Sequence, residues 1–534
     1  MSPTPYRRRL VATFLALALA ATAAGAAASS ASAAAGSITN GGFESGLSGW
    51  SVSGTTSAAS VASGGSAGSY RLNHYLASAG SVSTYQAVTL TGTGWWTYSA
   101  KVRSGGGLDT TRLQVTGCGA TEYRTVPDTN NGNGWVRIAV SFNATSTTCW
   151  VSLYTNGAAG AWAHMDEATL SQGKVSRTIR GADLSSVMKN EAYGGRYYTS
   201  TGTKIDPFRS FGEAEANLAR FKVWVNPADG YNTASKVVTA AKRAQAYGMK
   251  IMIDFHYSDT WADPGAQGVP STWSGQSVSQ MTTSLASHTT STLTALKNAG
   301  VTVDYVQVGN EINPGMLWPY GQSWDVNTSD GVTGAQWNNL AGFLTAGSNA
   351  AKAVFPSTKV ILHLTDIGSG VSGLTWWLDP MTSRSVPYDI IGLSYYGYWH
   401  GGLGNLQEVI TGLSSTYNKD VMVVETAYPW TLSDDTPTFQ NVIDTSAELV
   451  TGYPATTAGQ AAWVRAVQDV VAGAPGGRGL GVVYWEPAWT AVSGSGWDPT
   501  DASSGNAWEN QAFFDFNSRQ IPAAFATFAK DSSD

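Results

Sequence analysis

The stretch VQVGNEINPGMLWP, residues 306–319, decides how this chain is read. An apolar alternation ends abruptly in Gly309-Asn310-Glu311, and a loop bearing proline and tryptophan follows. A carboxylate rarely closes an apolar strand, because burying a charge is costly unless something pairs with it. Seven other runs resemble this one: RTIRGAD (177–183), RFKVWVN (220–226), KIMIDFH (250–256), KVILHLT (359–365), DIIGLSYY (389–396), DVMVVETA (420–427) and GVVYWEP (481–487). Amphipathic segments lie between them, among them ASKVVTAAKRAQAYG, TTSTLTALKNAG and QWNNLAGFLTAGSNAAKAV. Eight strands separated by helical or long loop sequence predict a (β/α)8 TIM barrel over residues 179–534. A doubly wound open sheet is the alternative, but no glycine-rich phosphate loop follows the first strand.

In such a barrel the C-terminal strand ends form the active face. Glu311 belongs to the end of the fourth strand and Glu425, in VMVVETAYPW, to the end of the seventh. Those strands face one another across the mouth. Asp183, Arg220, Asp254, His256, Tyr395, Tyr396 and Trp485 occupy other strand ends. Two facing carboxylates suit glycoside hydrolysis, one protonating the departing oxygen and the other attacking or activating water. Asn310 is placed to bond a sugar 2-hydroxyl, so Glu311 is expected to be the acid/base and Glu425 the nucleophile. The competing reading makes each glutamate a surface or salt-bridged residue. Trp261, Trp399 and Trp485 lie in or beside the loops that would stack on sugar rings.

The first third has a different style. Residues 1–36 carry arginines at 7–9, an alanine-rich apolar run and small residues, the pattern of a secretory signal peptide. No later segment approaches the roughly 20 apolar residues of a membrane span. A secreted, extracellular protein with no membrane partner is expected. Residues 37–172 alternate with period two between Gly and Ser breaks, predicting an all-β sandwich, and residues 173–178 form a linker. Cys118 and Cys149 are the only cysteines, and an even pair in an exported chain points to a disulfide. A net charge of −6 gives no basic footprint for nucleic acid. Nothing indicates a subunit interface, so a monomer is expected.

The motifs GADLSSV, KVWVNPADGYN, IMIDFHYSDTWADPGAQ, VQVGNEINPGMLWP, IIGLSYYGYWHG and VVETAYPW together resemble glycoside hydrolase family 53, the endo-β-1,4-galactanases. The resemblance implies a retaining barrel that cleaves the β-1,4-galactan of type I arabinogalactan and needs no cofactor for its chemistry. It gives Glu311 the acid/base role and Glu425 the nucleophile role, with His256, Asn310, Tyr395, Tyr396 and Trp485 at the catalytic subsite. Asp183, Arg220, Trp261 and Trp399 complete the expected substrate-binding set. A related barrel hydrolase acting on mannan or glucan, and a non-catalytic glycan-binding protein, are the alternatives. Some relatives carry calcium after strand seven. Here Asp434, Asp435 and Asn441 supply oxygens of the right kind without the expected spacing or a histidine. NGGFESGLSGWSVSG, GWWTYSAKVRSGG and HMDEATL resemble a carbohydrate-binding module of family 61, a jelly-roll-like sandwich. That resemblance implies a structural calcium at Glu44 and Asp166, and sugar-stacking aromatics among Trp95, Trp96, Tyr123 and Trp162.

Overall fold

The computed structural model describes residues 36–129, 134–175, 177–435 and 439–530. The leader expected over residues 1–36 lies outside them, apart from Gly36. Among the described residues no helix is long and apolar enough to cross a membrane.

Two five-stranded antiparallel sheets form the N-terminal sandwich, running from Ser51–Gly54 to Trp162–Gln172. Period-two alternation builds its core. Strand Gly94–Gly105 buries Trp96, Tyr98, Ala100 and Val102, and its neighbour Val136–Ala144 buries Val136, Ile138, Val140 and Phe142. Leu113, Val115, Val151 and Leu153 of the other sheet belong to the same core. A disulfide joins Cys118 to Cys149, tying the ends of the paired strands Leu108–Thr116 and Thr148–Gly157. Closing a loop of about 30 residues contributes roughly 3–4 kcal/mol in the chain-entropy model.

Eight parallel strands close the barrel: Ile179–Asp183, Leu218–Val223, Lys250–Phe255, Tyr305–Val308, Lys359–Leu364, Ile390–Ser394, Asp420–Glu425 and Gly479–Tyr484. Their two faces have different fates. Phe221, Ile253, Val306, Leu362, Leu393 and Val423 face outward into the core shared with the helices. Ile179, Leu218, Met252, Tyr305, Ile361, Ile390, Met422 and Val483 form a separate apolar plug inside. Continuing upward from the plug at period two, the interior turns polar: Asp183, Arg220, Lys222, Asp254, His256, Gln307, His363 and Ser394.

The sandwich docks on the barrel's outer helices. The Gln407 amide, on helix Leu403–Tyr417, accepts from the Arg137 backbone N–H at 2.6 Å and donates to the Arg137 carbonyl at 2.7 Å. Arg124 and Arg177 approach Asp469 of helix Thr457–Ala472 at 3.6 and 3.7 Å. At Gly473, which ends that helix, any Cβ would lie 2.3 Å from the Arg137 carbonyl oxygen, so only glycine permits this approach.

Candidate active site

Two local irregularities aim the glutamates. Between strands six and seven the register slips, so that Leu393 faces Val423 but Ser394 faces Glu425. The extra residue, Val424, packs with the interior plug, and Glu425 follows it into the cleft. Bulges beside active sites commonly re-aim a side chain in this way. Strand four leaves its ladder after Val308. Gly309 takes φ +85°, where a Cβ would stand 2.6 Å from Ile312 Cγ2, and Glu311 itself is left-handed at φ +46°. Tyr257, Asp366 and Glu486, just past strands three, five and eight, are left-handed too. Backbone strain of this kind clusters where surrounding structure holds a functional geometry.

Both carboxylates line one cleft of about 460 Å³. The Ser394 hydroxyl lies between them, 2.5 Å from Glu311 Oε1 and 3.5 Å from Glu425 Oε2. Its single proton goes to the nearer oxygen, and sharing one hydroxyl keeps Glu311 Oε1 and Glu425 Oε2 within about 6 Å of each other. Gln307 Nε2 lies 2.9 Å from His363 Nδ1, and His363 Nε2 lies 2.9 Å from Ser394 Oγ. Burial, then the charge of Arg220, push His363 well below its ordinary value, so the ring is neutral. With Nδ1 accepting, its Nε2–H donates to Ser394, and the serine is left to donate to Glu311.

The two glutamates differ in their surroundings. Arg220 lies 2.8 Å from Glu425 Oε1, and the Tyr396 hydroxyl donates to Oε2 at 3.1 Å. Glu311 has hydroxyl partners, and among the described residues no cation contacts it. Burial raises both carboxyls. The negative Glu425 pushes Glu311 further up, whereas Arg220 pulls Glu425 down. The first proton the pair binds therefore rests on Glu311, and Glu425 stays ionised.

Arg220 also reaches Asp183 at 2.7 Å, Asp254 at 2.8 Å and Asn310 Oδ1 at 2.9 Å. Burial alone would lower its affinity for a proton, but Asp254, Glu425 and Asp183 outweigh burial and hold it charged. With Oδ1 turned to Arg220, the Asn310 amide donates to the Ala262 carbonyl at 2.7 Å. Asn310 itself lines the cleft beside Glu311. His256 contacts Asp254 at 3.1 Å and lines the cleft.

Trp261, Trp399, Trp485, Trp489, Trp497 and Trp508 wall the cleft, with Trp485 and Trp508 4.5 Å apart between ring centroids. Four of them come from the long segment after strand eight. Lys222 adds a cation to the same wall. Its ammonium donates to Glu486 at 2.6 Å and lies 4.1 Å above the Trp261 ring. Sequence reasoning missed Lys222, although it lies two residues beyond Arg220 on the same inward face. Gln307, His363 and Ser394 were missed for the same reason.

Three expected residues are placed elsewhere. Tyr395 is fully buried, donates to the Gly401 carbonyl and stacks on Trp463, because it follows Ser394 on the opposite side of the strand. Asp183 is buried beneath the cleft and reaches it only through Arg220. Trp96 is a core residue of the sandwich, its indole N–H bonded to the Gly92 carbonyl. Trp95 lies under the Lys174 ammonium, Tyr123 is exposed beside Arg112, and Trp162 packs 4.7 Å from His164.

Two of the carboxylates considered for calcium, Asp166 and Glu44, are engaged by backbone N–H groups. Asp166 accepts backbone N–H bonds from Ser66, Ala67 and Glu167, and Glu44 accepts them from Ser69 and Tyr70, so the pair anchors one loop. Asp435 donates its N–H to Glu509, Asn441 donates to the Ser433 carbonyl, and Asp434 precedes this turn. Among the described residues no three acidic, His or Cys side chains converge as a metal site. At the turn after strand seven the buried Asn441 Oδ1 has no hydrogen-bond partner among the described residues, an oxygen of the kind calcium takes.

Comparison with known proteins gives a consistent result. The model of glycosyl hydrolase family 53 matches residues 179–528. An endo-β-1,4-galactanase of Bacillus subtilis (strain 168) is 35% identical over 380 residues, covering 65% of this chain and 84% of its own. An arabinogalactan endo-β-1,4-galactanase of Cellvibrio japonicus is 36% identical over 342 residues, covering 63% and 86%. The solved family 53 catalytic domain of Ignisphaera aggregans is 32% identical with a TM-score of 0.61, covering 66% and 95%. The chain carrying this glutamate pair on this barrel belongs to glycosyl hydrolase family 53.

Proposed function

We propose that the protein is a secreted, retaining endo-β-1,4-galactanase acting on the galactan of type I arabinogalactan. The observation that carries this is the Glu311–Glu425 pair bridged by Ser394 in a tryptophan-walled cleft. A separation within about 6 Å suits direct attack, whereas inverting pairs stand about 6.5–9.5 Å apart to admit a water. Glu311 protonates the glycosidic oxygen while ionised Glu425 attacks the anomeric carbon. Water then enters on the same face, deprotonated by Glu311, and releases the sugar with retained configuration. Asn310 bonds the 2-hydroxyl, and the tryptophans stack on the rings. Galactan as substrate rests on the named relatives and on the sequence motifs. Barrel and glutamates alone do not separate it from mannan or glucan.

Reducing-sugar release from debranched galactan tests the proposal directly. The wild-type chain is expected to cut galactan well and mannan and cellulose poorly, with Glu311→Ala nearly silent. Good hydrolysis of mannan without galactan would move the substrate. Binding without hydrolysis of any of the three would make the protein a glycan binder.

Ser394→Ala gives a subtler test. The Ser394 bond lowers the proton affinity of Glu311, so its loss raises that affinity further. Glu311 must be protonated to act, so the alkaline limb of the kcat/KM profile is expected to move to higher pH. The rate at the optimum falls about tenfold as Glu311 loses its orienting partner. An unmoved limb would show that Ser394 does not bear on the acid.

The sandwich is proposed to hold galactan for the barrel. Its docking through Gln407 and Asp469 fixes it against the enzyme, so chain captured there is presented from a set position.

A further inference from the structure

Helix Gly370–Ser383 buries Leu374, Trp377, Leu378 and Met381, and that stripe completes its contact with the barrel. Trp376 stands on the opposite, solvent face, 49% exposed. Trp324, 42% exposed on the loop after strand four, lies 6.1 Å from it between ring centroids. Half-buried Trp337, the first residue of helix Trp337–Val354, meets Trp376 nearly edge-on at 5.2 Å and holds it upright. Singly exposed apolar residues need no explanation, but two neighbouring bare indoles fixed by a third do.

We propose that Trp324 and Trp376, buttressed by Trp337, form a second galactan-binding platform outside the catalytic cleft. The inference rests on the galactanase reading given above. Two features select the ligand. The platform is joined to the cleft wall: the N–H of Ser323, next to Trp324, donates to the Pro314 carbonyl, and neighbouring Asn313 exchanges two bonds with Thr365, which lines the cleft. A chain leaving the cleft over this loop would meet indole rings of the same kind as those that wall the cleft. The area is also too small for a subunit contact. Two half-exposed tryptophans offer on the order of 200 Å², against about 800 Å² per partner in a stable interface. A neutral polysaccharide strand stacks on such a surface, its sugar faces on the indoles and its hydroxyls in water.

The test uses the full chain and the variant Trp324→Ala/Trp376→Ala. Both side chains are exposed, and far-UV circular dichroism verifies folding. Retardation in gels containing galactan is expected to weaken at least threefold in the variant, without reaching zero because the sandwich remains. KM on polymeric galactan is expected to rise by a similar factor, while kcat/KM on an aryl galactoside, which occupies only the subsite at the glutamates, stays within about 1.5-fold. Trp376→Phe, which keeps a flat face, should recover most of the retardation. Equal retardation of wild type and variant would overturn the platform, as would wild type running unretarded. A sedimentation shift from dimer to monomer in the variant would overturn it in favour of an interface between copies. If the wild type is retarded but cleaves no galactan, the galactanase reading falls while a differential retardation still upholds the platform.

Discussion

Glu425→Ala is expected to lose turnover on galactan by on the order of 10⁵-fold, and azide is expected to restore part of it with inverted product. The asymmetry of the pair dictates this. Removing the Glu425 carboxylate leaves space beside Arg220 on the face opposite the departing sugar, and a small anion fits there. Burial, the larger of the two causes that raise Glu311, remains after the push from Glu425 is lost, so Glu311 still assists departure, a single displacement follows and the anomeric configuration inverts. Glu311→Ala should behave differently. Glu425 can still attack an aryl galactoside, whose leaving group needs little protonation, and azide then displaces the glycosyl-enzyme with overall retention. NMR of the anomeric proton in each glycosyl azide distinguishes the two. Retained azide from Glu425→Ala together with inverted azide from Glu311→Ala would reverse the assignment.

The sequence made the glutamates legible because both stand where an apolar barrel strand stops, and few roles other than chemistry put a carboxylate there. The eight strands were legible for the same reason, each being a short run of greasy residues closed by a polar one. Side-chain direction was harder. Tyr395 and Tyr396 look equivalent as a pair, yet a strand sends neighbours to opposite faces, and Ser394 with Tyr396 takes the cleft while Tyr395 packs on Trp463. Counting by two from Arg220 leads to Lys222, and from Ile361 to His363. Trp489, Trp497 and Trp508 carried no such signal, because the segment after strand eight has no periodicity and only the closed barrel brings it back over the mouth. The bulge at Val424 is likewise a property of pairing, invisible in one strand alone.

Arg220→Met is expected to cost about 3–5 kcal/mol of stability and most of the activity. One buried guanidinium faces Asp183, Asp254 and Glu425 within 2.8 Å, and among the described residues no lysine or other arginine contacts those three carboxylates. A planar fork serves several carboxylates at once, whereas a thioether leaves all of them without a counter-charge. The pH profile carries the sign. Arg220 lowers the proton affinity of Glu425, so its loss raises that affinity, and Glu425 must be ionised to attack. The acidic limb of kcat/KM should therefore move to higher pH, by more than one unit if the cation is the main counterweight to burial. Stability should follow the same charge. A carboxyl raised in the folded state contributes most below its unfolded value and less as pH climbs through the raised one. The Arg220→Met deficit in Tm is thus expected to be smallest at acid pH and to widen toward neutrality. Should that variant not fold, Arg220→Lys keeps the charge but not the fork, and an ammonium reaches fewer of the three partners. It should fold with a smaller deficit and a limb displaced in the same direction. An acidic limb left in place in Arg220→Met, beside a large loss of kcat, would mean that Arg220 orients Glu425 without tuning its charge.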